Sequence, residues 1–404
     1  MRIAYVIVRY GPDIHGGAEQ GARMLAEGLA ARAGWSVDVY TTCAIESTTW
    51  ADEMTPGTSD INGVSVHRYK SVSGRDPGFD AFSGPIMRDP ARASRADQLR
   101  WFELQGPVCP GAVDAAAASP ADLVIFYPYL YWPTVHGVPA VGDRAVMHPA
   151  AHDEQELRIP LFKEVFGGVS GLVFQTEVER RLTEHLFPEV ISTPHLHLGL
   201  GVDEQPGDPT AFLRTWHLED TPFVLYVGRV DDGKGCSLLA RLFRTYKMRR
   251  RGPLKLVMAG HVVNPPPAHP DIIVTGDVDE AAKWGALRSA LALVHPSAHE
   301  AFSIVLMEAW TAGLPVMVNG RCAAMVENVR RSRAGLIFSD YAHFEVSLDR
   351  LVSQPELRAE MGRVGRSYVQ SHFGWEGLLD RYTAFLERVG STASRPHSTT
   401  VGES

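Results

Sequence analysis

Short apolar runs rich in β-branched residues alternate with helix-period patterns along the whole chain, and such alternation closes on parallel sheets built from strand–helix–strand units. It occurs twice. In the first half the runs predict strands at residues 3–8, 36–42, 64–69, 122–127, 144–148 and 171–176. In the second half they predict strands at 223–229, 254–260, 272–276, 292–297, 315–320 and 334–338. Their length and flanks suit strands buried on both faces. Between the first two, Ala18, Ala22, Leu25, Ala26 and Leu29 share one helical face, with Gly34 as the expected residue just past the helix end. Each half therefore reads as a doubly wound α/β sheet. PHLHLGLGVDEQPGDP, residues 194–209, interrupts the pattern with Pro and Gly and is the expected hinge. WEGLLDRYTAFLERV, 375–389, reads as a last amphipathic helix, and the remaining residues to 404 have the composition of a disordered tail.

Size and charge exclude several classes. A chain of 404 residues is long enough for two cores. No run approaches the ~18 apolar residues of a membrane-spanning helix, and MRIAYVIVRY carries Arg2 and Arg9 around a short apolar core without a small-residue cleavage site. A soluble, cytoplasmic protein is expected. Cys43, Cys109, Cys236 and Cys322 stand singly with no CxxC spacing, which fits reduced thiols rather than a disulfide frame or a zinc site. Lys plus Arg is 39 against 47 for Asp plus Glu, a formal net charge of −8 that argues against nucleic-acid binding. The one basic cluster, RTYKMRRR at 244–251, reads as a solvated helix end, with peripheral docking on anionic lipid as the alternative.

Two stretches of the second half carry chemistry. YVGRVDDGKGC leaves a strand and enters a helix, so its end lies where unpaired backbone N–H groups and the helix dipole favour an anion, with Arg229 and Lys234 adding two cations. The run from Gly228 to Gly235 also matches GxxxxGK. Gly235 then stands where a P-loop needs Ser or Thr for its magnesium ion, which weakens the NTPase alternative. HEAFSIVLMEAW places Glu300 in a loop and Glu308 inside the following helix, with Gly313 near that helix's end. Both acids can face the carboxyl ends of the strands, where open α/β sheets bind ligands. The N–H groups of Phe302, Ser303 and Ile304 add a second cradle, and a carboxylate beside it suits the paired hydroxyls of a ribose or a sugar. The bland alternative is a solvated Glu308 and a capping Glu300.

With these residues in place, HPSAHEAFSIVLMEAWTAGLPVMV resembles the signature of the retaining glycosyltransferases of sequence family 4, which share a Glu, seven residues, Glu motif that Glu300 and Glu308 fit. GRVDDGKG, VTGDVDE and GGAE at 16–19 extend the resemblance over nearly the whole chain. It implies a GT-B fold of two Rossmann-like doubly wound domains facing across a cleft. Residues 1–200 would bind the acceptor, 201–374 would bind the donor, and the 375–389 helix would cross back to the first domain. By similarity Arg229 and Lys234 would neutralise the diphosphate of a nucleotide-sugar donor, Glu308 would hold the ribose and Glu300 the transferred sugar. Gly16 and Gly17 would let the backbone approach the phosphates. A histidine near the donor sugar falls on His148, with His152 second and a core histidine as the alternative. The implied co-substrate is a UDP- or GDP-sugar, with no other cofactor and no metal, and the acceptor is a sugar, a small molecule or a lipid-linked hydroxyl. A non-catalytic nucleotide-sugar binding module is the other reading.

The chain departs from that pattern in two places. It reads EAFS where EGFG is more usual, so Ala301 and Ser303 re-aim the cradle, and RCAAMVENV replaces a more usual Gly pair. For the acceptor, FYPYLYWPT at 126–134 offers aromatic faces to a sugar or lipid, or core packing instead. SVSGRDPGFDAFSGPIMRDPARAS at 71–94 offers a mobile acceptor loop or a plain surface excursion.

Overall fold

The computed structural model describes residues 1–14 and 16–393. The chain divides into two units, Met1–Gly199 together with the residues from Leu379 on, and Leu200–Leu378.

Unit 1 is built on an eight-stranded sheet: β1 (Arg2–Val6), β2 (Ser36–Thr42), β3 (Gly57–Ile61), β4 (Val64–Tyr69), β5 (Leu123–Phe126), β6 (Ala145–Met147), β7 (Gly171–Phe174) and β8 (His195–His197). Their order is β3-β4-β2-β1-β5-β6-β7-β8, and every pairing except β3 with β4 is parallel. Leu123, Val124, Ile125 and Phe126 of β5 have no exposure, as a central parallel strand covered by helices on both faces requires. Chain order reverses at β1, since β2 to β4 lie on one side of it and β5 to β8 on the other. The loops leaving β1 and β5 therefore flank this unit's topological switch point, the place where doubly wound sheets bind ligands.

Two strands were not expected. β3 (GTSDI) is largely exposed and lacks an apolar run, but it forms a hairpin with β4 through Asn62 (φ +53) and Gly63 (φ +83). Positive φ at both central positions is the demand of a tight hairpin turn, and Asn-Gly meets it. β8 falls inside the stretch read as hinge, where His195 and His197 form an exposed edge strand against β7.

Unit 2 holds a six-stranded, all-parallel sheet of β9 (Phe223–Val227), β10 (Lys255–Ala259), β11 (Ile272–Gly276), β12 (Leu293–His295), β13 (Val316–Asn319) and β14 (Gly335–Phe338). The order is β11-β10-β9-β12-β13-β14. Here the switch point lies between β9 and β12, so the loops that follow those two strands sit side by side at the sheet's carboxyl edge. These are the stretches 228–235 and 296–303.

The helix Trp375–Ala393 continues four residues past its expected end, and the rest of the expected tail lies outside the described residues. From Leu379 on it belongs to unit 1. The Tyr382 hydroxyl meets Tyr5 Oη at 2.9 Å and His148 Nε2 at 2.7 Å, Asp380 pairs with Arg32 at 2.7 Å, and Leu379 covers Gly28 so closely that a Cβ there would lie 2.9 Å from it. Gly34 (φ +83) sits in the turn before β2, while the first helix ends earlier, at Ala30 with Ala31 as its cap. The segment 71–94 is no open loop, because it contains the helix Phe79–Arg88 with Phe79 buried against Trp101.

Candidate active site

In unit 2 the loop after β9 is organised by a carboxylate. Asp231, buried, accepts the Lys234 backbone N–H at 2.7 Å on one oxygen and the Arg229 Nε–H on the other. Arg229's carbonyl accepts from the Tyr226 hydroxyl at 2.8 Å, and Gly235 caps the helix Cys236–Arg249 in the left-handed region (φ +77). A side chain at Gly235 would approach the Pro296 carbonyl to 2.8 Å, so glycine here lets the β9 loop lie against the β12 loop. That contact also explains why a P-loop hydroxyl has no place at this position.

Across the contact, Lys234 Nζ donates to Glu300 Oε1 at 2.6 Å, and His295 Nε2 stands 3.8 Å from the same oxygen. Burial alone would raise the Glu300 carboxyl, but Lys234 and then His295 outweigh it and hold the group below the usual carboxylate range. His295 is pushed down to about 4 by burial, so it is neutral near pH 7. Arg229 and Lys234, both expected at a diphosphate, are thus each paired with a carboxylate, Asp231 and Glu300. Two positive charges face two negative ones. The sequence reading does not single out Asp231 or His295; Asp231 makes a local side chain–backbone bond to the N–H three residues on, of the kind Asp favours at the start of a helix.

Glu308 lies inside the helix Ile304–Thr311, as expected, and is buried rather than solvated. Burial pushes its carboxyl up, and Lys283, whose Nζ donates at 2.7 Å, pulls the other way. Two acids eight residues apart are thus driven in opposite directions. Phe302 is buried against Phe373, and Ser303 is the helix N-cap. Ser303 sits at φ +70, and no hydrogen bond among the described residues reaches its buried hydroxyl. Left-handed backbone is costly for any residue with a Cβ, which is the physical reason glycine is usual at this point of the motif. Gly313 at φ +78 ends the helix as expected.

In unit 1 the loop after β1 carries Gly16 and Gly17 to the start of the helix Gly17–Ala30. Their reasons for being glycine differ. A Cβ on Gly16 would lie 2.2 Å from Glu19 Oε2, so this glycine makes room for its own helix's carboxylate, which is buried and bound by Arg9 Nε at 3.0 Å. A Cβ on Gly17 would meet nothing within 4 Å. The helix N-terminus has no side-chain cap. Arg9 also stacks over Trp50, whose ring meets Tyr131 edge-on at 5.2 Å.

His148, expected near the donor sugar with a core histidine as the alternative, is buried in unit 1. It is 2% exposed, its Nε2 is bound to Tyr382, Tyr127 lies edge-on to its ring, and burial pushes it down to about 3. His152 is more open and stands 3.5 Å from Glu154 Oε2. Of the aromatics in 126–134, Phe126, Tyr127 and Tyr129 are core, which leaves Tyr131 and Trp132 half-buried. In the basic cluster 244–251, Lys247 pairs with Asp271, Arg249 with Glu345 and Arg250 with Asp349, so its charge is largely answered by acids. All four cysteines are buried and free. Among the described residues no helix is long and apolar enough to cross a membrane.

Residues 214–368 match the family model "Glycosyl transferases group 1". A D-inositol 3-phosphate glycosyltransferase of Frankia alni is 26% identical over 389 residues, spanning 86% of this chain and 90% of that protein. A GDP-mannose-dependent alpha-mannosyltransferase of Mycolicibacterium smegmatis is 32% identical over 206 residues, 48% of this chain and 52% of that one. Among solved structures, the sucrose-phosphate synthase of Thermosynechococcus elongatus superposes with a TM-score of 0.70 at 17% identity, over 97% of this chain and 99% of the other. WaaG, a glycosyltransferase involved in lipopolysaccharide biosynthesis, gives 0.63 at 16% identity over 98% and 100%. At such identities the structural likeness establishes the fold, which is GT-B.

Proposed function

We propose, from the premise that this chain is a glycosyltransferase with the GT-B fold and a group 1 glycosyl transferase domain, that it moves a sugar from a nucleoside diphosphate sugar to an acceptor hydroxyl with retention of anomeric configuration. The observation that carries the reading is the Lys234–Glu300 contact at 2.6 Å, which joins the two loops of unit 2's switch point. A donor diphosphate would take Arg229 and Lys234 from their carboxylates. That exchange frees Glu300 to accept hydrogen bonds from the sugar's hydroxyls while the cations meet the phosphates. The same two cations would stabilise the charge that grows on the departing diphosphate, an effect of about 10² to 10³ in rate for each such group. With charge supplied in this way the reaction would need no metal ion, and the departing phosphate would itself accept the acceptor's proton.

Glu308 would hold the ribose hydroxyls, and the backbone N–H groups at Ser303 and Ile304 would meet the phosphate or sugar oxygens. In unit 1, Gly17 offers open backbone at an uncapped helix start beside the β1 loop, which suits approach by a phosphate. The acceptor is a polyol or its phosphate, in keeping with the D-inositol 3-phosphate glycosyltransferases among the relatives, and would be received by the loops after β1 and β5. The test is incubation with UDP- and GDP-sugars and polyol acceptors, following nucleoside diphosphate release. Release that depends on acceptor and gives a product of retained configuration supports the reading. An inverted product, or release that requires a divalent cation, overturns the mechanism.

A further inference from the structure

Unit 2 holds a second cation and carboxylate pair, apart from Lys234 and Glu300. Lys283 Nζ lies 2.7 Å from Glu308 Oε1 and 2.9 Å from Glu280 Oε1. The Lys283 and Glu308 side chains are 12% and 9% exposed, whereas Glu280 is 67% exposed and reaches the ammonium from solvent. Lys283 stands near the start of the helix Glu280–Ser289, just past the carboxyl end of β11. Asp279 caps that helix by accepting from the Ala282 N–H at 2.7 Å, which fixes the turn carrying the ammonium.

The pair leaves unused hydrogen-bonding capacity of two kinds. An ammonium has three protons, of which the structure engages two, on Glu280 and Glu308. A carboxylate has two oxygens, and among the described residues no hydrogen bond reaches Glu308 Oε2. One spare donor beside one spare acceptor is the complement of a vicinal diol, in which one oxygen accepts while its neighbour's O–H donates. A carboxylate alone would need both hydroxyls to donate. Burial of the two side chains also keeps water from competing for these positions.

We propose that Lys283 is a specificity-determining residue of this site, forming with Glu308 a two-point clamp on the vicinal hydroxyls of the donor's ribose: Nζ donates to one oxygen and Glu308 Oε2 accepts from the other. The inference rests on the reading of Glu308 as the ribose carboxylate. Apart from this role, the ammonium opposes the rise that burial imposes on the Glu308 carboxyl.

Calorimetric titration of the full chain with UDP and GDP, each beside its 2′,3′-dideoxy analogue, tests the clamp. The wild-type protein prefers the ribo form of its nucleotide by about tenfold or more in Kd, the scale of hydrogen bonds to charged groups. Glu308→Met, which has no acceptor oxygen, loses that preference if the ribose reading holds. Lys283→Met then loses most of it as well, with affinity for the dideoxy form nearly unchanged. A Lys283→Met protein that keeps the wild-type preference while Glu308→Met loses it overturns the clamp and leaves the ribose reading standing. Retention of the preference by Glu308→Met overturns both. Lys283→Gln, which keeps a donor N–H without charge, serves where the methionine variant does not fold; it is expected to retain a reduced preference, and an undiminished one counts against the clamp.

Discussion

Lys234 Nζ sits 2.6 Å from Glu300 Oε1, so the cation assigned to a diphosphate already neutralises the carboxylate assigned to a sugar. This pairing modifies the expected cost of losing the lysine. From sequence alone Lys234→Ala is expected to reduce turnover far more than folding. In the structure the same change strands Glu300, 14% exposed, without its counter-ion. Turnover should fall by about 10² to 10³. Stability should fall too, by about 1–3 kcal/mol, the cost of an unsatisfied buried group. The double variant Lys234→Met/Glu300→Gln should recover most of the stability and none of the turnover. Urea denaturation and initial rates on the same preparations check this.

Ser303 sits in left-handed backbone with an unbonded, buried hydroxyl, and both features are costs that glycine removes. Ser303→Gly should therefore stabilise the chain, by about 1 kcal/mol from the relief of backbone strain alone. A rise in melting temperature is the expected result. A fall would mean that the serine side chain contributes more to the fold than its backbone strain costs.

Tyr382 links the last helix to β1 and to His148 through one hydroxyl. Tyr382→Phe leaves His148 Nε2 buried without that partner, at a cost of about 1–3 kcal/mol. Equilibrium unfolding with a tyrosine-independent probe such as far-UV circular dichroism measures it, and an unchanged midpoint would show that the hydroxyl contributes nothing.

Acid should destabilise the protein through its buried histidines. Burial pushes His295 down to about 4 and His148 to about 3, so the native state refuses a proton that the unfolded state accepts near the ordinary histidine value of about 6.5. Each histidine's contribution is complete above that unfolded value and is lost as pH falls from there toward the native value. Unfolding free energy measured between pH 7.5 and pH 4.5 should decline, and His148→Gln should flatten the decline. A wild-type profile level down to pH 4.5 would contradict the burial of both rings.

The central strands and the acidic motif were legible because buried parallel strands are continuous apolar runs, and because a Glu before a helix and another inside it can be read by spacing. β3 is not legible although Asn62-Gly63 announces its turn, because GTSDI is exposed and has no apolar run. The bond from His148 to Tyr382 is not legible, because a histidine after a strand looks the same whether it faces a ligand or a tyrosine 234 residues away. Lys283 could not be found at all. Nothing in VDEAAKW tells that its ammonium meets a carboxylate 25 residues later, because only the fold brings Lys283 to Glu308. The pairing of Arg229 with Asp231 and of Lys234 with Glu300 was hidden for the same reason, since spacing marks which residues approach a ligand but not what they hold in its absence.

The most direct measurement is calorimetric titration of UDP and GDP into wild-type protein and into Lys234→Met/Glu300→Gln, at low and high salt. The account predicts that one of the nucleotides binds the wild-type chain without added metal, that the double variant binds at least about tenfold more weakly, and that salt weakens the wild-type complex. Equal affinity for the two proteins would contradict the placement of the diphosphate at Lys234, and with it the account of the site.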